Sequence, residues 1–120
     1  MRKQTICIDF DGVLHAYTSG WKGASVIPDG PVTGAIAWLC DLVDPLKADD
    51  AVTVVVQSSR ARRPWGWFAI RNWLRRYIFE HMGSDMVRAD DIYSAISVTS
   101  RKPAASAHRP WNARGKQPRP

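Results

Sequence analysis

Apolar runs and helical periods alternate along the first hundred residues. β-Branched residues, which are typical of buried strands, are frequent in three segments: Ile6–Asp9, Val52–Val56 and the shorter segment 96–99. Apolar residues recur at helical spacing over 31–43 and 66–81. Strands that alternate with helices form parallel sheets through right-handed crossovers. The pattern predicts an α/β domain with a three-layer, Rossmann-like parallel sheet in which the first two strands are neighbours.

Length and composition narrow the class of protein. The 120 residues are 45% apolar and include six tryptophans, which indicates one folded domain rather than a disordered chain. No apolar stretch approaches the roughly 20 residues of a membrane span, and the first residues lack the apolar centre of a signal peptide. Cys7 and Cys40 are isolated, which predicts buried thiols. We expect a cytoplasmic protein with no membrane partner.

The charge is concentrated at the C-terminus. Residues 1–100 hold 11 Lys and Arg against 11 Asp and Glu, whereas residues 101–120 hold six basic residues and no acid. We therefore divide the chain into a domain at 1–105 and a basic, proline-rich tail at 106–120. We expect the tail to lack regular structure, because it has no apolar period. Electrostatic attraction of this tail to nucleic acid is an alternative role.

Two carboxylates follow the first predicted strand directly. Side chains at i and i+2 of a strand share one face, so Asp9 and Asp11 are predicted to share one site. Two negative charges held together are costly unless a cation or a shared proton relieves the repulsion. A hard divalent ion such as Mg²⁺, which prefers oxygen ligands, is the natural relief.

The same residues carry a resemblance to a known family. Ile8-Asp9-Phe10-Asp11-Gly12-Val13 resembles the first motif of the haloacid dehalogenase superfamily, DxDG(T/V) after a hydrophobic strand. The resemblance implies that Asp9 is the nucleophile that accepts a phosphoryl group and that Asp11 is the general acid and base. It also implies that Mg²⁺ is held by the Asp9 carboxylate and the backbone carbonyl of Asp11.

Each predicted strand ends in residues that a phosphoryl-transfer site needs. Sites in open parallel sheets lie at the carboxyl ends of the strands, where the second strand leads to Ser58 and the third to Lys102. A hydroxyl can hold phosphate oxygens, and a lysine offsets the charge around nucleophile and phosphate. Gln57-Ser58-Ser59-Arg60 resembles the Ser-x-Arg motif in the phosphatase domain of phage polynucleotide kinases. The resemblance implies a catalytic Lys102 and a phosphate-binding Ser58, with Ser59 as second choice and Gly12 and Arg60 beside them.

The resemblance covers residues 4–107 and then ends. Family members carry a further strand after the lysine, and the acids at its end complete the Mg²⁺ shell. No acid and no strand pattern follow Lys102 here, and Asp90 and Asp91 precede it in what the pattern predicts to be a solvated turn. We expect a sheet without its last core strand and a metal site short of one carboxylate. Such a chain looks like one that was truncated or that left its reading frame.

Three functions follow from these patterns. The first is a Mg²⁺-dependent phosphohydrolase that acts on a small phosphomonoester or a nucleic-acid end. The second is a relative that keeps the fold without turnover. The third is a nucleic-acid-binding module, because Trp65, Trp67 and Trp73 interleave with arginines over 60–76. For that segment we favour a helix with a core stripe and a solvated face. His15 is interpreted as a loop residue near the site.

Overall fold

The computed structural model of the protein describes residues 4–44 and 52–101. These residues form three strands, three α-helices and one short 3₁₀ helix. In chain order they are β1 (Gln4–Asp9), α1 (Ala35–Val43), β2 (Val52–Gln57), the 3₁₀ helix (Ser59–Arg62), α2 (Pro64–Met82), α3 (Met86–Ser94) and β3 (Ile96–Thr99). Within the described ranges, no helix combines the length and the apolar character needed to cross a membrane.

The three strands form one parallel sheet in the order β1-β2-β3. Ile8 aligns with Val56, and Val56 aligns with Val98. The predicted parallel pairing of the first two strands is therefore confirmed, as are the predicted strand at 96–99 and the α/β class. β1 lies at one edge of the sheet formed by the described residues.

The core lies on one face of this sheet. Even-numbered strand residues such as Ile8, Val54 and Ile96 are buried in the same cluster as the inner faces of all three helices. Right-handed crossovers that step in one direction across a sheet place their helices on one side, and β1-β2-β3 is such a progression. The described residues thus form two layers. The predicted third layer would need a crossover in the opposite direction to a strand on the other side of β1, and the described residues contain no such strand.

Helix boundaries differ from the prediction in two places. α1 begins at Ala35 rather than near 31, because Gly34 adopts a left-handed conformation directly before it. The solvated turn predicted at Asp90 and Asp91 is wrong, since both lie in α3 on its exposed side. Asp85 begins α3 by accepting a hydrogen bond from the Arg88 backbone N–H. The helix predicted over 66–81 is present as α2, which ends at Met82 with Gly83 as its C-cap.

Two predictions fall outside the residues described. Lys102 and the tail at 106–120 lie beyond residue 101, so the third motif and the disordered tail stay predictions. Cys7 and Cys40 are both buried, as predicted.

Candidate functional site

The carboxyl ends of the three strands meet in one row. Asp9 aligns with Gln57 on β2, which in turn aligns with Thr99 on β3. The Ser58 backbone N–H donates to the Thr99 carbonyl at 3.0 Å, so Ser58 lies at the same edge. Asp9 is exposed, and within the described ranges its carboxylate has no hydrogen-bond or ion-pair partner. An exposed, unengaged carboxylate at this edge is available to a ligand.

A tight turn after β1 fixes the direction of Asp11. The Phe10 carbonyl accepts from the backbone N–H groups of Val13, Leu14 and His15, and the Phe10 ring is buried. Gly12 has a φ of +82°, a conformation that favours glycine. Its N–H donates to the His15 carbonyl at 2.7 Å and is therefore engaged within the turn rather than directed at a phosphate.

A fully buried arginine holds Asp11. Arg60 is 0% exposed, and its Nε donates to both Asp11 carboxylate oxygens, at 2.9 and 3.2 Å. Its Nη2 donates to Oδ1 at 3.1 Å. Paired N–H groups on one carboxylate give the strongest and most directional ion-pair geometry. The ion pair ties the turn after β1 to the start of the 3₁₀ helix after β2.

The third nitrogen of Arg60 organises the loop that follows the first motif. Nη1 donates to the carbonyls of Gly23, Ala24 and Val26 at 2.7, 3.2 and 2.9 Å. The guanidinium also lies 4.6 Å from the centre of the Trp21 ring. The phosphate-binding role predicted for Arg60 does not fit this geometry, because a buried guanidinium engaged on all three nitrogens is a positioning group for Asp11 and the loop.

His15 is the second partner of Asp11. It is 0% exposed, its Nδ1 lies 2.8 Å from Asp11 Oδ1, and its ring stacks on Phe10. The Asp29 backbone N–H donates to Nε2 at 3.2 Å, which requires a lone pair on Nε2. This contact and the 2.8 Å contact to Asp11 together fit the tautomer in which the Nδ1–H of His15 donates to Asp11. The sequence placed His15 in a nearby loop but gave no sign of its burial or of this contact.

Asp29 anchors the far end of the same loop. Its carboxylate accepts from the Ser19 hydroxyl at 2.7 Å, the Ser19 backbone N–H at 2.8 Å and the Thr18 hydroxyl at 3.0 Å. The hydrogen bonds from Ser19 hold the pKa of Asp29 below its ordinary value of 3.8. The Asp29 carbonyl accepts from the Trp73 indole N–H at 3.0 Å, which joins the loop to α2.

The two predicted phosphate-binding serines differ in exposure. Ser58 is 7% exposed, and its hydroxyl oxygen accepts from the Arg60 backbone N–H at 3.2 Å, which leaves the hydroxyl proton free to be donated. Ser59 is exposed at the first position of the 3₁₀ helix. The structure thus brings Ser58 and Asp11 into contact with the same residue, Arg60.

The oxygen ligands predicted for Mg²⁺ can be compared with the positions of Asp9 and Asp11 in the structure. The Asp9 carboxylate is exposed, and the Asp11 carbonyl accepts no backbone hydrogen bond within the described ranges, so both fit as oxygen ligands. The Asp11 carboxylate is already engaged by Arg60 and His15. Across residues 4–44 and 52–101, no group of three or more His, Cys, Asp or Glu side chains could hold a metal ion. The two oxygen groups would therefore form only part of a shell.

Comparison with known proteins adds no relative to this geometry. A scan against protein-family models, a search of curated proteins and a search of solved structures each found no match. The side chains gathered at the sheet edge are therefore the basis on which a function can be proposed.

Proposed function

We propose that the protein is a Mg²⁺-dependent phosphohydrolase that transfers a phosphoryl group to Asp9 and then to water. The observation that carries the proposal is an exposed carboxylate at the carboxyl edge of a parallel sheet, with a second, rigidly held carboxylate two residues away. The first-motif resemblance gives these two groups their roles.

The reaction would proceed in two displacements. An Asp9 oxygen attacks phosphorus and forms an acyl phosphate, while the bond from phosphorus to the substrate oxygen breaks. Water then attacks the phosphorus, the acyl phosphate bond breaks, and phosphate leaves with the Asp9 carboxylate restored. The Ser58 hydroxyl would donate to a phosphate oxygen, and Lys102, by its sequence position, would offset negative charge.

Asp11 is better suited to the second displacement than to the first. Three N–H groups, from Arg60 and His15, are directed at the two oxygens of Asp11. Oxygens that accept these hydrogen bonds carry no proton to donate to a leaving group, but the carboxylate can accept a proton from water. A base at this position would take the proton of the attacking water. We therefore expect substrates whose leaving group needs no protonation to be turned over best.

Mg²⁺ would be held by the Asp9 carboxylate and the Asp11 carbonyl. When bound, it supplies positive charge that offsets the phosphate oxygens. Because the described residues offer no third carboxylate for it, the proposal includes weak metal binding and slow turnover.

Turnover of p-nitrophenyl phosphate and of a simple alkyl phosphate by the full chain tests the proposal. Asp9→Asn should abolish turnover of both, whereas Asp90→Asn, which alters an exposed aspartate on α3, should leave it unchanged. His15→Ala should lower kcat more than it changes KM, because His15 contacts Asp11 and not the substrate. Equal turnover in wild type and Asp9→Asn would contradict the proposal.

A further inference from the structure

An open groove runs along the N-terminal half of α2, outside the site described above. Its volume is about 570 Å³, and it lies between α2 and the loop that Arg60 holds. The residues that line it include Ser25, Ile27, Trp65, Phe68, Asn72 and Arg76. None of its lining residues is acidic.

The structure separates the aromatic residues of α2 into internal and external ones. Trp73 is buried and donates to the Asp29 carbonyl, and Trp67 donates to the Val98 carbonyl at 3.0 Å. Trp65 and Phe68, in contrast, are 55% and 58% exposed and line the groove. These two large rings lie one turn apart on the helix surface and are not part of the core cluster, although the Phe68 and Trp67 rings pack edge to face.

The arginines of the same segment separate in the same way. Arg71 donates to the Ile96 carbonyl at 2.8 Å, and Arg60 is buried on Asp11. Arg63 and Arg76 are exposed, and the Arg63 guanidinium lies 5.5 Å from the centre of the Trp65 ring. The sequence from 51 to 79 contains no acidic residue. Positive charge in and beside the groove is therefore not neutralised by its own segment.

We propose that this groove binds single-stranded nucleic acid, with bases stacked on Trp65 and Phe68 and phosphates paired with Arg63 and Arg76. Every base offers a π-face to an aromatic ring, and the sugar-phosphate backbone supplies the matching negative charge. Exposed aromatic rings alone would equally suit a second copy of the chain. The guanidinium groups of Arg63 and Arg76 form no ion pair with the acidic residues of 4–44 and 52–101, which favours a polyanion whose flat groups stack.

The groove adjoins the candidate active site through one side chain. Arg60 donates to the carbonyls of Ala24 and Val26, which flank Ser25 of the groove, and it also holds Asp11. A strand bound in the groove would thus approach the Asp9 edge. This orientation rests on the proposed function, whereas the binding itself does not.

Fluorescence anisotropy of a labelled oligothymidylate, measured with the full chain, tests the binding. The Asp9→Asn background keeps any phosphorylated end intact, so failure of binding and failure of catalysis are read separately. Trp65→Ala and Phe68→Ala should each weaken binding about 5- to 100-fold, the range for loss of one stacked base. Val87→Ala removes an apolar side chain that is 74% exposed on α3, and it should change nothing.

Matched charge variants on α2 distinguish binding of the oligonucleotide in the groove from its general electrostatic attraction to the basic tail. Arg76→Gln should lower the slope of log K against log salt concentration by about 0.7, the value for one single-strand phosphate contact. Arg75→Gln, with the same charge change at an exposed residue stacked on Phe79, should lower it much less. The same oligonucleotide paired into a duplex should bind more weakly, because its bases are already stacked.

Three results would overturn the proposal. Trp65→Ala could leave oligothymidylate affinity unchanged, or Arg75→Gln could weaken binding as much as Arg76→Gln. Sedimentation could also show a dimer that Trp65→Ala dissociates, which would assign the groove to a second copy of the chain.

Discussion

Replacement of Arg60 by methionine is expected to destabilise the whole domain. The side chain joins three segments that are distant in sequence: the turn after β1, the loop at 23–26 and the 3₁₀ helix after β2. Methionine keeps much of the apolar stem but has no donor. The carboxylate of Asp11 and three backbone carbonyls then lose their common partner.

The structure gives the size of the effect. Removal of one member of a buried ion pair costs about 3–5 kcal/mol. Asp11 is 23% exposed, so water can solvate it in part, which lowers the loss on that side. The carbonyls of Gly23, Ala24 and Val26 add to the cost where water does not replace the guanidinium. We expect Arg60→Met to lower the free energy of unfolding by about 3–4 kcal/mol, a large part of the roughly 5–15 kcal/mol of a small domain.

Urea unfolding followed by tryptophan fluorescence and circular dichroism measures this loss. Arg62→Met, an exposed residue of the same 3₁₀ helix, is the matched control and should change stability by less than about 0.5 kcal/mol. If Arg60→Met fails to fold, Arg60→Lys provides the smaller perturbation. The double variant with Asp11→Asn should be less destabilised than the sum of the single ones, since the two residues are in contact. A loss below about 1 kcal/mol for Arg60→Met, or no larger than that for Arg62→Met, would refute this account of Arg60.

Two further predictions concern the segments around this arginine. A Cβ on Gly66 would lie 1.9 Å from the Arg60 carbonyl oxygen, so Gly66→Ala should destabilise the domain by about 1–3 kcal/mol despite better helix propensity, as thermal or urea unfolding would show. Asp29 has a pKa below 3.8 in the folded state because of Ser19, so it stabilises the fold above pH 3.8, and this contribution is lost as the pH falls through the lower folded value. In Asp29→Asn, the free energy of unfolding should therefore fall less steeply below about pH 4 than in the wild type. The same pH dependence in both proteins would contradict this role of Asp29.

The sequence was sufficient to predict the first two strands because their signals are local. β1 and β2 are apolar runs, and parallel pairing of such runs follows from the helix between them. α3 was not predicted because it is only nine residues long and buries only Ala89 and Ile92. Two buried positions do not establish a helical period.

A different reason explains why the contacts around Asp11 could not be predicted. Arg60 reaches Asp11 across 49 positions of sequence. His15 is only four positions from Asp11, but nothing in the sequence at either Arg60 or His15 indicates burial. The Ser-Ser-Arg sequence led to a phosphate-binding role for Arg60, whereas in the structure its guanidinium contacts Asp11. The third layer was inferred from the usual form of Rossmann-like sheets, whereas the described chain steps in one direction only.

Chemical identification of the phosphorylated residue is the most direct test of the proposed mechanism. The Asp11→Asn variant, which lacks the proposed base for hydrolysis, should accumulate the phosphorylated enzyme when mixed with p-nitrophenyl phosphate and Mg²⁺. Borohydride converts an aspartyl phosphate to homoserine, which mass spectrometry locates in the sequence. We expect homoserine at position 9 and none when Asp9 is also changed to asparagine. Phosphate release by the wild type with no trapped group at position 9, or with one at another residue, would contradict the proposed mechanism.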